Sequence, residues 1–311
     1  MNRNNRIPRL NIASLSAAEQ VRVAVTLACR DTDSVPKVHG AGEIQCLGNT
    51  YIQKMHEGTF VEANAYEGNW ITKIIFDLKG HHEPQEELLF HSLLSEVRPD
   101  TQIVELGSYW AYYSNWYLGT VENSKAVCIE PNRKNLLVGK RNMALNNRQA
   151  TFIHARVGVE YSPPCTSEIN TTDEELPFNS VECLNMQALL EQLDHKSIEM
   201  LHMDIQGAEL GFLRSVAATA SQSDLRFIVV STHHEYISGS PNTHSDCLET
   251  LRESGAVILA EHTVAESFSG DGLIIASYNT SDAEIELPPI SRANKEFSNL
   301  IWEPFDYSVV S

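Results

Sequence analysis

The sequence predicts an α/β chain: a doubly wound, mostly parallel seven-stranded sheet that closes in a C-terminal antiparallel hairpin, preceded by an N-terminal helix and a β-rich extension. Three observations carry the prediction. From residue 101 onward, short apolar runs ending in glycine or an acid alternate with segments of helical periodicity, the pattern of strand, turn and crossover helix. Leu225 to Val230 is almost wholly apolar, as in a strand covered on both faces. The last two strand candidates, Ala256 to Glu261 and Gly272 to Ser277, are separated by about ten residues, too few for a helical return, so one of them must run antiparallel.

In order, residues 1 to 12 are polar and basic, and Leu15 to Cys29 spaces Ala17, Val21, Ala24, Val25 and Ala28 as an amphipathic helix behind Ser14 or Ser16 as cap. Glu43 to Leu78 reads as short strands broken at Gly48, Gly58 and Gly68-Asn69. Pro84 suits the first position of a helix over 84 to 97, with Glu86 and Glu87 at its positive end. Strands follow at Ile103 to Leu106, Ala126 to Ile129, Thr151 to Ala155, Ile198 to Met203 and Leu225 to Val230. The helices between them are Ala111 to Leu118, Arg133 to Leu145, Asn185 to Leu193, Gly207 to Val216 and His244 to Glu253. Residues 158 to 182, rich in Pro, Ser and Thr, read as an irregular insertion over the sheet edge or the site. The expected division is an extension over 1–80, a principal domain over 81–280 and an acidic tail over 281–311 that carries Trp302, Phe305 and Tyr307.

With 311 residues and 42% hydrophobic content the chain can bury a large core. Its formal net charge of −18 repels phosphate backbones and anionic membranes, so neither nucleic acid nor membrane insertion is expected. Cys29, Cys46, Cys128, Cys165, Cys183 and Cys247 show no C-x-x-C spacing and read as reduced. No secretory h-region follows the three N-terminal arginines, and a cytoplasmic location is expected. Self-association through the extension or the tail is the one protein partnership anticipated.

The stretch Glu105-Leu-Gly107-Ser-Tyr109-Trp-Ala111 is a strand end, a tight turn and a helix start, and Glu130 ends the next strand 23 positions beyond Gly107. An acid at that spacing bonds ribose hydroxyls in doubly wound folds, which points to a nucleoside cofactor. A dinucleotide site needs a second glycine where this chain has Tyr109, whose side chain would meet the pyrophosphate. S-adenosylmethionine, which has no phosphate, suits the turn better.

With Asp204-Ile-Gln-Gly207-Ala-Glu209 also in view, the chain resembles the FkbM family of S-adenosylmethionine-dependent methyltransferases. The matching segments are Glu105 to Ala111, then Glu130-Pro131 with Asn135-Leu136 and Asn142, then Asp204 to Glu209. They cover roughly residues 80 to 278, and the family's Ala-Asn and second glycine are here Ser108-Tyr109 and Ala111. The resemblance implies a class I, Rossmann-like methyltransferase fold. It also implies that Gly107 and its neighbours Glu105, Ser108 and Tyr109 face the methionine part, Glu130 the ribose, and Ala155 or Arg156 the adenine. Asn135 and Asp204 are further expected cofactor contacts, as is Glu83, which falls where related enzymes carry Glu-Pro ahead of the first strand. Tyr109, Trp110, Tyr112 and Tyr113 offer ring faces to a sulfonium, although more of them are expected in the core than in the site.

A hydroxyl that accepts a methyl group must shed its proton, so a base or a metal belongs at the C-terminal edge of the sheet. His233 and His234, which follow the fifth strand, are the expected bases, with Asp204 positioning one of them or the substrate. The less favoured alternative is a divalent cation held by Asp204, His233 or His234, Glu235 and His262. The expected activity is O-methylation of a sugar, glycan or small natural product. Methylation of a carboxylate or nitrogen in a peptide-like metabolite, and an inactive binding module of the same fold, are the alternatives.

Overall fold

The computed structural model of the chain describes residues 15–164, 180–220 and 224–293. Cys165, the middle of the 158–182 insertion and the aromatic end of the tail lie outside these residues. At the centre is a seven-stranded sheet of β4 (Gln102–Leu106), β5 (Lys125–Ile129), β6 (Thr151–Ile153), β9 (Ile198–Met203), β10 (Leu225–Thr232), β11 (Val257–His262) and β12 (Gly272–Ser277). Its order is β11-β12-β10-β9-β4-β5-β6. The contiguous run from β10 to β6 is parallel, and β12 lies antiparallel between β10 and β11. The inserted strand of the terminal hairpin is thus the antiparallel one, as the short connection requires.

Burial separates the strands as position in the sheet demands. Every residue of β4, β9 and β12 is buried, whereas the edge strands β6 and β11 are only partly covered. Alternate side chains feed two cores. Ile103, Met200, Phe227 and Val229 pack with the N-terminal extension and with α4 (Tyr112–Thr120). Val104, Leu201, Ile228 and Val230 pack on the opposite face with α6 (Met186–Gln192), α7 (Glu209–Thr219) and α9 (Thr243–Glu253). No helix among the described residues is long and apolar enough to cross a membrane.

The extension contains α1 (Ala17–Ala28), whose Ser16 and Glu19 form a capping box, and a small antiparallel sheet of β1 (Ile44–Leu47), β2 (Thr50–Lys54) and β3 (Phe60–Glu62). Residues 69–77, expected to be strand, instead form a helix, α2 (Asn69–Asp77). Trp70, Ile71, Ile74 and Ile75 recur at the spacing of one helical face and are all buried, and that burial outweighs the strand preference of isoleucine. The extension docks on α5 (Arg133–Leu145) through two asparagines. Asn146 Oδ1 accepts from the Phe60 amide at 2.8 Å, and Asn142 Oδ1 accepts from the Glu62 amide at 2.8 Å. Asn142 also donates to the Trp110 carbonyl at 2.9 Å, tying the extension to the turn after β4.

Helix α3 (Pro84–Leu93) starts on Pro84 as anticipated and gives way to a 3-10 turn over Leu94–Glu96. After β6 the chain forms a separate two-residue parallel ladder, β7 (Arg156–Val157) with β8 (Cys183–Leu184), which anchors both described ends of the insertion. Strand β10 runs two residues beyond Val230, and the short helix α8 (Glu235–Ser238) follows it.

Ile74 is fully buried where α2 meets the sheet. Truncating it to alanine is expected to cost about 2–5 kcal/mol. A clear fall in the urea midpoint of the full chain would confirm that α2 belongs to the main core, and an unchanged midpoint would separate it.

Candidate functional site

At the C-terminal edge of the sheet the strand ends open into one cavity of about 970 Å³. Its floor is the turn after β4. The amides of Gly107 and Ser108 both donate to the Ile129 carbonyl, at 2.9 and 3.0 Å. A Cβ on Gly107 would stand 1.7 Å from the Asp204 carbonyl oxygen, and its φ is +72°, so only glycine fits there. Tyr109 and Ala111 also have positive φ, 36° and 56°. Ala111 thus keeps the left-handed backbone that the family's glycine would adopt without strain.

Glu130 is held by its two oxygens, one accepting from the Tyr109 amide at 3.0 Å and the other from the Asn132 amide at 2.8 Å. Burial pushes its pKa up to about 7 against the lowering effect of those two amides. Asn135 lines the cavity next to it, and Ala155 and Arg156 line the wall beyond β6. Arg156 Nη2 donates to Ser162 Oγ at 3.2 Å. Glu105 borders the cavity but also accepts from the Ser114 amide at 2.9 Å, which caps the positive end of α4.

Opposite lies an aromatic wall. Trp110 stacks on Tyr66 with centroids 4.5 Å apart and planes 3° apart. Tyr113 stacks on His202 at 4.1 Å and donates through its hydroxyl to Glu83 at 3.0 Å. Trp110, Tyr112 and Tyr113 are nearly inaccessible, so the aromatics after Gly107 serve mostly as core. The N-terminal extension completes this wall with Arg22, Tyr66, Trp70 and Ile71, none of which the sequence singled out.

The ends of β9 and β10 bring acids and imidazoles together. His233 is buried, with Nδ1 2.7 Å from Glu209 Oε1 and Nε2 3.1 Å from Asp204 and 3.6 Å from Asp271. Burial opposes a charge on this ring, but Asp271, Glu209 and Asp204 outweigh it and hold the pKa well above the ordinary histidine range. Asp271, by contrast, is pushed up to about 6 by burial, against the pull of His233. His234 sits at the cavity wall as the cap of α8, accepting from the Tyr236 amide at 3.3 Å, and its ring stacks on Tyr236 at 5.0 Å. The alternative cation set does not converge: Glu235 is exposed, and His262 lies outside the cavity with Nδ1 3.1 Å from the Thr263 carbonyl.

Apart from Tyr112, which is fully buried behind the wall, the other expected site residues from Glu83 to His234 border this one cavity. Glu209 and Asp271 were missed. Glu209 stands in the Gly-Ala-Glu segment but its reach to His233 is a tertiary fact, and the only signal for Asp271 was its place between Gly270 and Gly272. The cavity suits a polar nucleoside occupant, because among the residues that line it Ser108 Oγ and His202 Nδ1 are buried without a hydrogen-bond partner among the described residues.

The family model described as "Methyltransferase FkbM domain" matches residues 98–258. No curated protein matches. Among solved structures, fibrillarin from Aeropyrum pernix is 13% identical and covers 75% of this chain and 84% of its own, with a TM-score of 0.40. A precorrin-6y C5,15-methyltransferase from Geobacter metallireducens is 14% identical over 63% of this chain and 87% of its own, with a TM-score of 0.39. An O-methyltransferase from Bacillus cereus is 13% identical over 62% and 79%, with a TM-score of 0.38.

The raised pKa of His233 fixes the sign of a pH effect. Its stabilisation is fully present below the unfolded value of about 6.5 and is lost as pH rises through the folded value. The thermal midpoint of cofactor-free protein should therefore fall as pH climbs above about 6.5, and His233→Gln should flatten that fall. An identical slope in the variant would take the imidazolium out of the network.

Proposed function

Because the chain belongs to the FkbM family of S-adenosylmethionine-dependent methyltransferases, we propose that it transfers a methyl group to a hydroxyl of a sugar, glycan or small natural product, with His233 as general base. The observation that carries this reading is the Glu209–His233 pair, which leaves Nε2 on the cavity side of the ring, 3.1 Å from Asp204 and 3.6 Å from Asp271, both of which line the cavity. Glu209 accepts from Nδ1 at 2.7 Å and so fixes the tautomer in which Nε2 is the proton acceptor. S-adenosylmethionine supplies an electrophilic methyl group on a sulfonium. Glu130, with both oxygens aimed by backbone amides, is suited to the ribose hydroxyls, and Gly107 to Tyr109 to the amino-acid part. Ala155 and Arg156 suit the adenine, with Asn135 beside the ribose.

Asp271, Glu209 and Asp204 raise the pKa of His233 and so favour its protonated form. A second positive charge in the same acid-lined space lowers that pKa, which frees Nε2 when the reactive cofactor is present. The acceptor hydroxyl then loses its proton to Nε2 as its oxygen takes the methyl group. Asp204 and Asp271 disfavour a carboxylate acceptor by like-charge repulsion, which supports the hydroxyl over the acid. His234, engaged as a helix cap, serves better as a wall of the acceptor space than as the base.

Incubation with labelled S-adenosylmethionine and a panel of glycans and hydroxylated metabolites, read by mass spectrometry, should yield a methyl ether. His233→Gln should lower turnover about a hundred- to ten-thousand-fold while the affinity for S-adenosylhomocysteine changes little. Full turnover in that variant would remove His233 as base, and a methyl ester or methylamine product would replace the hydroxyl acceptor.

A further inference from the structure

Behind the aromatic wall, outside the cavity, a second group of ionisable side chains is buried where the extension meets α3. His56 comes from the turn between β2 and β3, His81 from the loop before α3, and Glu87 from α3 itself. All three are almost completely inaccessible, and each offers one ligand atom within 4.8 Å of the others. None of them lines the cavity. The three segments are locked at close quarters: the His56 amide donates to the Gly80 carbonyl at 3.1 Å, and a Cβ on Gly80 would stand 2.2 Å from the His56 nitrogen.

We propose that His56, His81 and Glu87 form a structural site for a divalent transition-metal ion, with zinc the best match to the donor set and Glu57, which stands beside His56, moving in as the fourth ligand. Two imidazoles and carboxylate oxygens are ligands that zinc accepts in four-coordinate sites. The carboxylate of Glu87 is oriented for this by its other oxygen. Oε1 accepts from the amides of His82 at 2.7 Å and Glu83 at 3.1 Å, which turns Oε2 toward His81, with the Tyr112 hydroxyl 3.4 Å away. Such outer hydrogen bonds are what hold a metal-ligating carboxylate in place.

Glu57 supplies the second line of argument. Its Oε2 lies 3.2 Å from His56 Nδ1, yet neither carboxylate oxygen has a hydrogen-bond partner among the described residues. The nearby Arg148 spends its Nη1 on the Thr59 hydroxyl and the Asn115 carbonyl. A dication between these groups satisfies both carboxylates at once. Zinc at about 2.0–2.2 Å from each atom holds its ligands about 3.3 Å apart, so the site contracts on binding. In doing so it turns the His56 and His81 rings, now stacked with centroids 4.1 Å apart, toward edge-on approach.

The site pins the N-terminal extension to the methyltransferase sheet and takes no part in methyl transfer. The test is elemental analysis of the purified full chain, stripped with a chelator and then equilibrated with zinc. About one equivalent should remain after removal of free metal, and the thermal midpoint should rise on reloading. Cobalt in place of zinc should give the visible ligand-field bands of a four-coordinate site. His81→Ala and the milder Glu57→Gln should lower retained zinc well below one equivalent, in protein that still binds S-adenosylhomocysteine, and His233→Gln should retain it. The proposal is overturned by a zinc-equilibrated chain without stoichiometric metal, by absence of the cobalt bands, or by folded His81→Ala that holds as much zinc as the parent.

Discussion

The geometry of the site depends on one close approach, that of the Gly107 backbone to the Asp204 carbonyl. The Asp204 amide donates to the Leu106 carbonyl at 3.1 Å, so the ends of β4 and β9 are joined by backbone alone at the point where both strands leave the sheet. A side chain at residue 107 would force them apart. Because β4 is flanked by β5 and β9 is flanked by β10, the same crossing sets where Glu130 stands on one side and His233 on the other. The Glu130 and His233 sides of the cavity thus share a single mechanical reference.

Much of this was legible in the sequence because it is local. A strand that ends in glycine, an acid at the end of the next strand, and an apolar run too uniform to have a wet face all report on their own neighbourhood, and β4, β5, β9 and β10 formed where those signals stood. The short link before Gly272 likewise sufficed to place an antiparallel strand at the end of the sheet. What was illegible is what tertiary packing decides. Residues 69–77 carry isoleucine and threonine, a strand-like composition, and only the core waiting beside them makes a helix the better solution. The approach of Glu209 and Asp271 to His233, and of Tyr66 to Trp110, joins segments whose separation in sequence says nothing of contact.

Several of the chain's histidines are buried in the company of carboxylates. His82 lies between Glu83 and Glu87, His202 bonds Glu86 at 2.7 Å, and His233 lies among three carboxylates. In each case burial opposes the charge while neighbouring carboxylates restore it, so His82, His202 and His233 all titrate above the ordinary histidine range. These rings act as internal counter-ions. They let an acidic protein place carboxylates around a cavity without the repulsion that bare acids at such spacing would suffer.

The connection that carries Asp271 is held from far away. The Thr26 hydroxyl donates to the Phe268 carbonyl at 3.2 Å across 242 positions, and Gln85 bonds both the Phe268 amide and the Ser291 carbonyl. The Ser291 amide in turn donates to Asp31 across 260 positions. During synthesis the first helix therefore leaves the ribosome long before its partners exist, and these contacts form only once nearly all of the sheet has been made. Loop-closure entropy disfavours such contacts early in folding, so the Asp271 side of the cavity is expected to close late.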